Sequence, residues 1–198
     1  MKFAIFALPV LVALSACAGS SSTNSATDAL RAKVTALAPT ATMPTGTATY
    51  TGKFLASNVT PSTTNPAMKF TTKYDSDLNL AANFDTRRVT TTLSNTSFVV
   101  TNNVNNSVGV VITSGTATGS GTITGNSINL GTITGIVKPV SYTLNDVAQT
   151  PTAAGSYTVS NVTNVTFVGP NADGIYQNGT ATVDGVANTS TEILATRN

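Results

Sequence analysis

The chain has 198 residues, ten Lys/Arg against eight Asp/Glu, a net charge of +2, no histidine, no tryptophan and one cysteine. Charged residues make up 9% of it, against roughly a quarter in an ordinary soluble domain, and Thr, Ser, Asn and Gly take their place. That balance excludes a clustered basic face for nucleic acid, histidine-based acid–base chemistry and any intramolecular disulfide. The 40% hydrophobic content is still enough for a core, so low charge does not imply disorder.

Met1-Lys2 is followed by an apolar run from Phe3 to Leu14 and then Ser15-Ala16-Cys17. A short basic start, an apolar stretch and small residues before a cut read as a signal peptide over 1–16. The run is too short to span about 30 Å of hydrocarbon as a helix, and Pro9 interrupts it. Leu14-Ser15-Ala16-Cys17 resembles the lipobox of bacterial lipoproteins. The resemblance implies cleavage before Cys17, acylation of its thiol and a membrane held through lipid. An exported chain with one unpaired cysteine needs a reason for it, and acylation consumes the thiol. Several acyl chains anchor stably where one does not. No Asp follows Cys17; by the same resemblance its absence implies the outer membrane of a Gram-negative cell. Without Lys2, nine Lys/Arg remain against eight Asp/Glu.

Residues 17–45 read as a lipidated tether with a short helix. Ala18 to about Ala26 is a small polar tract of the kind that forms flexible linkers. From Asp28 to Leu37, Leu30, Val34 and Leu37 recur at helical spacing, with Thr27 or Asp28 as cap. Such a helix is marginal alone; it either forms a partly ordered stalk or rests against an end of the following domain. Pro39 and Pro44 close the region.

From Gly46 the period becomes two. Ala48, Tyr50, Gly52 and Phe54 alternate with Thr and Lys; Leu78, Leu80, Ala82 and Phe84 with Asp and Asn. Val89, Thr91 and Leu93 follow a turn at Asp85-Thr86-Arg87. Ala117, Gly119, Gly121 and Ile123 precede a reversal at Gly125-Asn126, then Ile128 and Leu130. Val165 and Phe167 lead into a turn over Gly169 to Gly174, after which Ile175, Gln177, Gly179, Ala181 and Val183 share a face. Alternation with β-branched residues predicts antiparallel strands with one buried face. The recurrent turns predict an all-β fold, a single antiparallel β-barrel of about eight strands over 46–198. Glycines on the inward face fit the bends of a small closed barrel. A membrane-spanning barrel is disfavoured because aromatic girdles are missing.

Three stretches carry a family resemblance: Gly125-Asn126-Ser127-Ile128, Asn83-Phe84-Asp85 with Val89 to Leu93, and above all Phe167-Val168-Gly169-Pro170-Asn171-Ala172. Over Gly46 to Gly185 the chain resembles the barrel domain of transferrin-binding protein B, shared by related Gram-negative surface lipoproteins such as factor H binding protein. The resemblance implies display on the outer surface, an outer-membrane receptor or host protein as partner, and export by a surface-lipoprotein translocator. Departures limit it. There is no room for the family's handle domain, and no glycine stands near Thr86 or Arg87. Transferrin binding therefore does not carry over. Gly169, Pro170, Asn171 and Ala172 read physically as a structural turn: Pro170 pre-sets φ and Asn171 bonds locally.

Chemistry-bearing motifs are few. Asp75-Ser76-Asp77-Leu78-Asn79 starts like a calcium loop but lacks glycine at its sixth position and glutamate at its twelfth; the two Asp could still catch a cation at a strand end. Haem capture, implied by relatives of the barrel, could here use only Tyr50, Tyr74, Tyr142, Tyr157 or Tyr176, for which packing is the simpler role. Arg87-Arg88 is the only adjacent basic pair. No catalytic residue, metal site or cofactor is expected. The expectation is a non-catalytic binding module for nutrient or host-protein capture, with Ser57 to Pro66, Asn102 to Ser107 and Pro139 to Gly155 as contact loops. A structural or adhesive coat lipoprotein is the alternative.

Overall fold

The computed structural model describes residues 24–65, 67–150 and 154–198. The signal sequence, Cys17, the first part of the tether and Pro66 lie outside them. Among the described residues one helix precedes eleven strands. The elements are α1 (Asn24–Thr35), β1 (Thr47–Pro61), β2 (Lys69–Asn83), β3 (Arg88–Asn102), β4 (Val108–Thr124), β5 (Ser127–Leu130), β6 (Ile133–Leu144), β7 (Val147–Gln149), β8 (Gly155–Ser160), β9 (Val165–Val168), β10 (Gly174–Val183) and β11 (Val186–Arg197).

The strands form an antiparallel meander that closes on itself where β1 pairs with β11, Tyr50 opposite Arg197 through Ser57 opposite Ser190. The ring has eight strand positions, and two of these are shared by two strands each. β4 pairs with β5 near its end and with β6 before that. β10 pairs with β9 at its start and with β8 at its finish. β5 with β9, and β6 with β8, complete the wall. β5 and β6 are one strand position broken at Gly131-Thr132; β8 and β9 are another, broken at residues 161–164, where Asn161 and Asn164 take φ of +54° and +59°. β7 extends β6 as a hairpin.

The predicted alternation sets the inside. Tyr50, Phe54, Leu80, Leu93, Ile133, Tyr157, Phe167, Ile175 and Ile193 are fully buried. Aromatic rings gather in two groups along the axis. Tyr50 and Phe84 flank Phe167 at centroid distances of 5.6 and 5.4 Å. Tyr74, Phe98 and Tyr157 pack within 5.2–6.2 Å of one another. The outer wall is mainly Thr, Ser and Asn, the reverse of a membrane-spanning barrel. Close strand approach explains one glycine directly: a Cβ on Gly52 would stand 1.9 Å from the Leu194 carbonyl oxygen.

The two ends of the ring differ. One, the turn end, carries the tight β2–β3, β4–β5 and β9–β10 connections. Residues 38–46 cap it: the Thr40 amide donates to the Phe167 carbonyl (3.0 Å), its hydroxyl to the Gly169 carbonyl (2.7 Å), and Met43 packs on the core. The other, the loop end, carries the β1–β2, β3–β4, β6–β7 and β10–β11 connections.

The helix begins and ends earlier than the spacing predicted, taking in the last residues of the expected tether and leaving Leu37 in the turn beyond it. It rests on the outer wall, not on an end. Val34 is fully buried against Val168 and Leu194, with Leu30, Leu37, Leu55 and Tyr176 around them. Burial of a Val or Leu side chain stabilises by roughly 1.5–3 kcal/mol, which a helix of this length needs in order to form. Arg31 fixes its rotation through a fork onto Glu192, Nε to Oε1 at 2.8 Å and Nη2 to Oε2 at 2.8 Å, with a further bond to Asp28.

Candidate functional site

Of the eight carboxylates, seven accept a hydrogen bond or pair with a cation of the fold: Asp28, Asp75, Asp77, Asp85, Asp173, Asp184 and Glu192. Asp75 and Asp77 sit on β2 across from Lys53 on β1. Lys53 Nζ lies 3.0 Å from Asp75 and 2.8 Å from Asp77, so the cation these residues catch is the neighbouring lysine. Partial burial raises the Asp77 carboxyl, but hydrogen bonds from Asn95 and Lys53 more than offset that and hold it below its ordinary value. Glu192 and Asp28 take Arg31, whose guanidinium is raised chiefly by its hydrogen bonds to Glu192. Asp85 accepts the Gly46 amide at 2.9 Å. Among the described residues no group of three His, Cys, Asp or Glu could hold a metal ion.

Asp184 is the exception in its electrostatics. It stands in the β10–β11 turn at φ +49° and accepts the Thr158 amide at 2.9 Å. Burial raises its carboxyl to about 6, partly countered by that bond. No cation pairs with it among the described residues. Nearby, burial pushes the Tyr74 phenol up to about 12 and Tyr157 higher still, with the Asp184 charge adding to each. The Tyr157 hydroxyl, beside Ser76, and the Asn58 carboxamide, beside Tyr74, are buried here.

The other tyrosines also pack within the fold. Tyr50 donates to the Ala172 carbonyl at 2.8 Å, and burial raises its phenol to about 12. Tyr176 lies under the helix, and the Tyr142 ring passes over Gly109.

Gly169-Pro170-Asn171-Ala172 forms the β9–β10 turn. Ala172 is fully buried at φ +54°, the Gly169 amide donates to the Ala38 carbonyl at 2.7 Å, and Arg197 Nη1 donates to the Asn171 carbonyl at 2.8 Å. These carbonyls and amides tie β1, β11 and the capping segment together at the turn end.

The proposed contact loops all fall at the loop end, and each is shorter than the sequence suggested. Ser57 to Pro61 belong to β1, Asn102 to β3, and Pro139 to Leu144 to β6. The described residues of these stretches that lie outside strands are 62–65, 103–107, 145–146, 150 and 154. Sequence reasoning missed a hollow of about 550 Å³ on the outer wall at the opposite, turn end. It is open to solvent and lined by Thr47, Thr49, Ala81, Thr90, Asn198, Arg88 and Arg197. No Asp or Glu side chain lines it. The signal that could have found it is the run of small outward residues at 47, 49 and 81, legible only once β1, β2 and the chain's last residues are known to be adjacent.

No family model, no curated protein and no solved structure matches this chain.

Proposed function

We propose that this protein is an outer-membrane lipoprotein, anchored through Cys17 and facing the cell surface, that works as a non-catalytic binding module. The observation carrying the binding half is the filled ring. Large side chains occupy the interior, most carboxylates are held by structural partners, and contact is left to the outer surface. The anchoring half rests on the lipobox-like Leu14 to Cys17 and on the likeness of Phe167 to Ala172 to the transferrin-binding protein B barrel. An outer-membrane receptor or a host protein is the kind of partner that likeness supports, with a surface-lipoprotein translocator for export; transferrin and haem uptake remain properties of the relatives.

Two measurements test it. Intact mass should show several acyl chains on wild type and none on Cys17→Ser, which should also leave the detergent phase. Trypsin added to intact cells should cut the wild-type protein; protection until the outer membrane is opened would refute surface display.

A further inference from the structure

The ring's ends also differ in their apolar surface. The large exposed hydrophobics are Val59, Val104, Ile112, Ile136, Val140 and Val147, and all lie in the loop-end half. Val104 is in the β3–β4 turn, Val147 in the projecting β7, and Val59 near the end of β1. Ile112, Ile136 and Val140 face outward from β4 and β6, where Ile112 stands opposite Ser141. Among the described residues, exposed lysines stand among them, Lys69, Lys73 and Lys138, against the exposed Asp146 and the half-buried Asp184 of the β10–β11 turn. Among the described residues the turn end has no such valine or isoleucine, and its arginines are interspersed with Asp85 and Asp173.

The helix supplies the second observation. Arg31 is level with Glu192 and Leu37 reaches Gly174 at the turn end, so α1 runs from the loop end toward the turn end. The chain therefore enters the domain at the loop end. From Cys17 to Asn24 is seven residues, which can span at most about 25 Å. A lipid on Cys17 would keep the start of α1, and with it the loop end, within about 25 Å of the bilayer.

We infer that the loop end is a membrane-facing surface, with Val59, Val104 and Val147 in the interface of an anionic lipid leaflet and Lys69, Lys73 and Lys138 on its headgroups. Apolar tips with flanking lysines suit such a surface: the apolar groups enter the headgroup boundary and each lysine gains from the negative potential. This rests on the lipid-anchor reading above. It turns the Arg88–Arg197 hollow outward, toward partners.

The test uses full-length acylated protein in vesicles of phosphatidylethanolamine and phosphatidylglycerol. With Cys17 acylated, Val104→Cys and Thr86→Cys each present one thiol for a polarity-sensitive fluorophore. A lipid-borne quencher should quench the Val104→Cys label and leave Thr86→Cys, at the turn end, unquenched. Replacing Lys69, Lys73 and Lys138 with Gln should weaken the loop-end quenching, and so should phosphatidylcholine vesicles. If intact mass shows the lipid but both labels stay unquenched, the orientation is wrong and the anchor reading survives. If no lipid is present, both fall. A Val104→Cys label shielded from water yet not quenched by lipid would mean that a protein covers this face, and would also overturn the inference.

Discussion

Asp184→Asn isolates one charge with little change in shape. The amide oxygen can still accept the Thr158 N–H, and φ of +49° is a conformation Asn tolerates well. The native carboxyl is raised from 3.8 to about 6, so between about pH 4 and 6 the fold binds more protons than the unfolded chain. Unfolding free energy therefore falls as pH rises through that window and stays at its lower value above it. At about 1.4 kcal/mol per pKa unit the ceiling is roughly 3 kcal/mol. Asp184 is partly exposed, and solvent screening reduces this to about 1–2 kcal/mol. Urea unfolding followed by circular dichroism should show Asp184→Asn more stable than wild type by that amount at pH 7.5 and level with it near pH 4. A difference that does not change with pH, or a variant less stable at pH 7.5, would refute the assignment of a half-buried charge with no cation beside it.

Three further substitutions test how the fold is held. Gly52→Ala brings a Cβ against backbone at Leu194, where no side-chain motion relieves it; a loss of at least about 3 kcal/mol is expected. Gly46→Ala meets nothing within 4 Å and suffers only its φ of +78°, so about 1–2 kcal/mol is expected; equal losses in the two thermal melts would refute the close-approach argument. Val34→Asp puts a charge into the sealed contact between helix and wall. Trypsin should then cut at Arg31 and Lys33 much faster while the far-ultraviolet spectrum of the strands persists; unchanged cutting would mean the helix is held by something other than that contact.

The strand faces were legible because their signal is local. Thr-rich alternation names the inward residue of each pair without knowledge of the neighbour, and Leu78, Leu80, Ala82 and Phe84 all lie inside as the pattern required. Tight turns were legible for the same reason. What depends on register was not. Asp75 and Asp77 looked like a weak cation trap because nothing in their own segment shows that Lys53 stands across the ladder. Arg31 and Glu192 are 161 residues apart, so the clip that places the helix on the wall has no trace in either segment. The breaks within two strand positions were hidden too, since β5 and β6 read as successive strands of an ordinary meander. The outer hollow depends on the same non-local information, with lining from β1, β2, β3 and the end of β11.

Those breaks mark the ring's weakest line. From β1 to β4 the ladders are long, Thr47 opposite Asn83 through Pro61 opposite Lys69 in the first pair. On the far side of β10 the wall is thin. Gly174 to Tyr176 pair with β9 and Thr182 and Val183 with β8, but the strand between has no regular ladder there. Thr163 bridges the gap: its amide and hydroxyl donate to the Thr180 carbonyl at 3.1 and 3.2 Å, and its hydroxyl accepts the Thr180 amide at 3.1 Å. Local opening follows the number of ladder bonds that must break together. Amides of β1 to β3 should therefore exchange only through global unfolding, while those of residues 161–164 and of β7 exchange orders of magnitude faster. Thr163→Val keeps the shape but removes the hydroxyl from the bridge, and should speed exchange at Thr180 without changing β2. Uniform protection around the ring would refute the seam. Faster exchange confined to it would identify where this closed wall opens first, on the side flanking the helix and away from the long ladders.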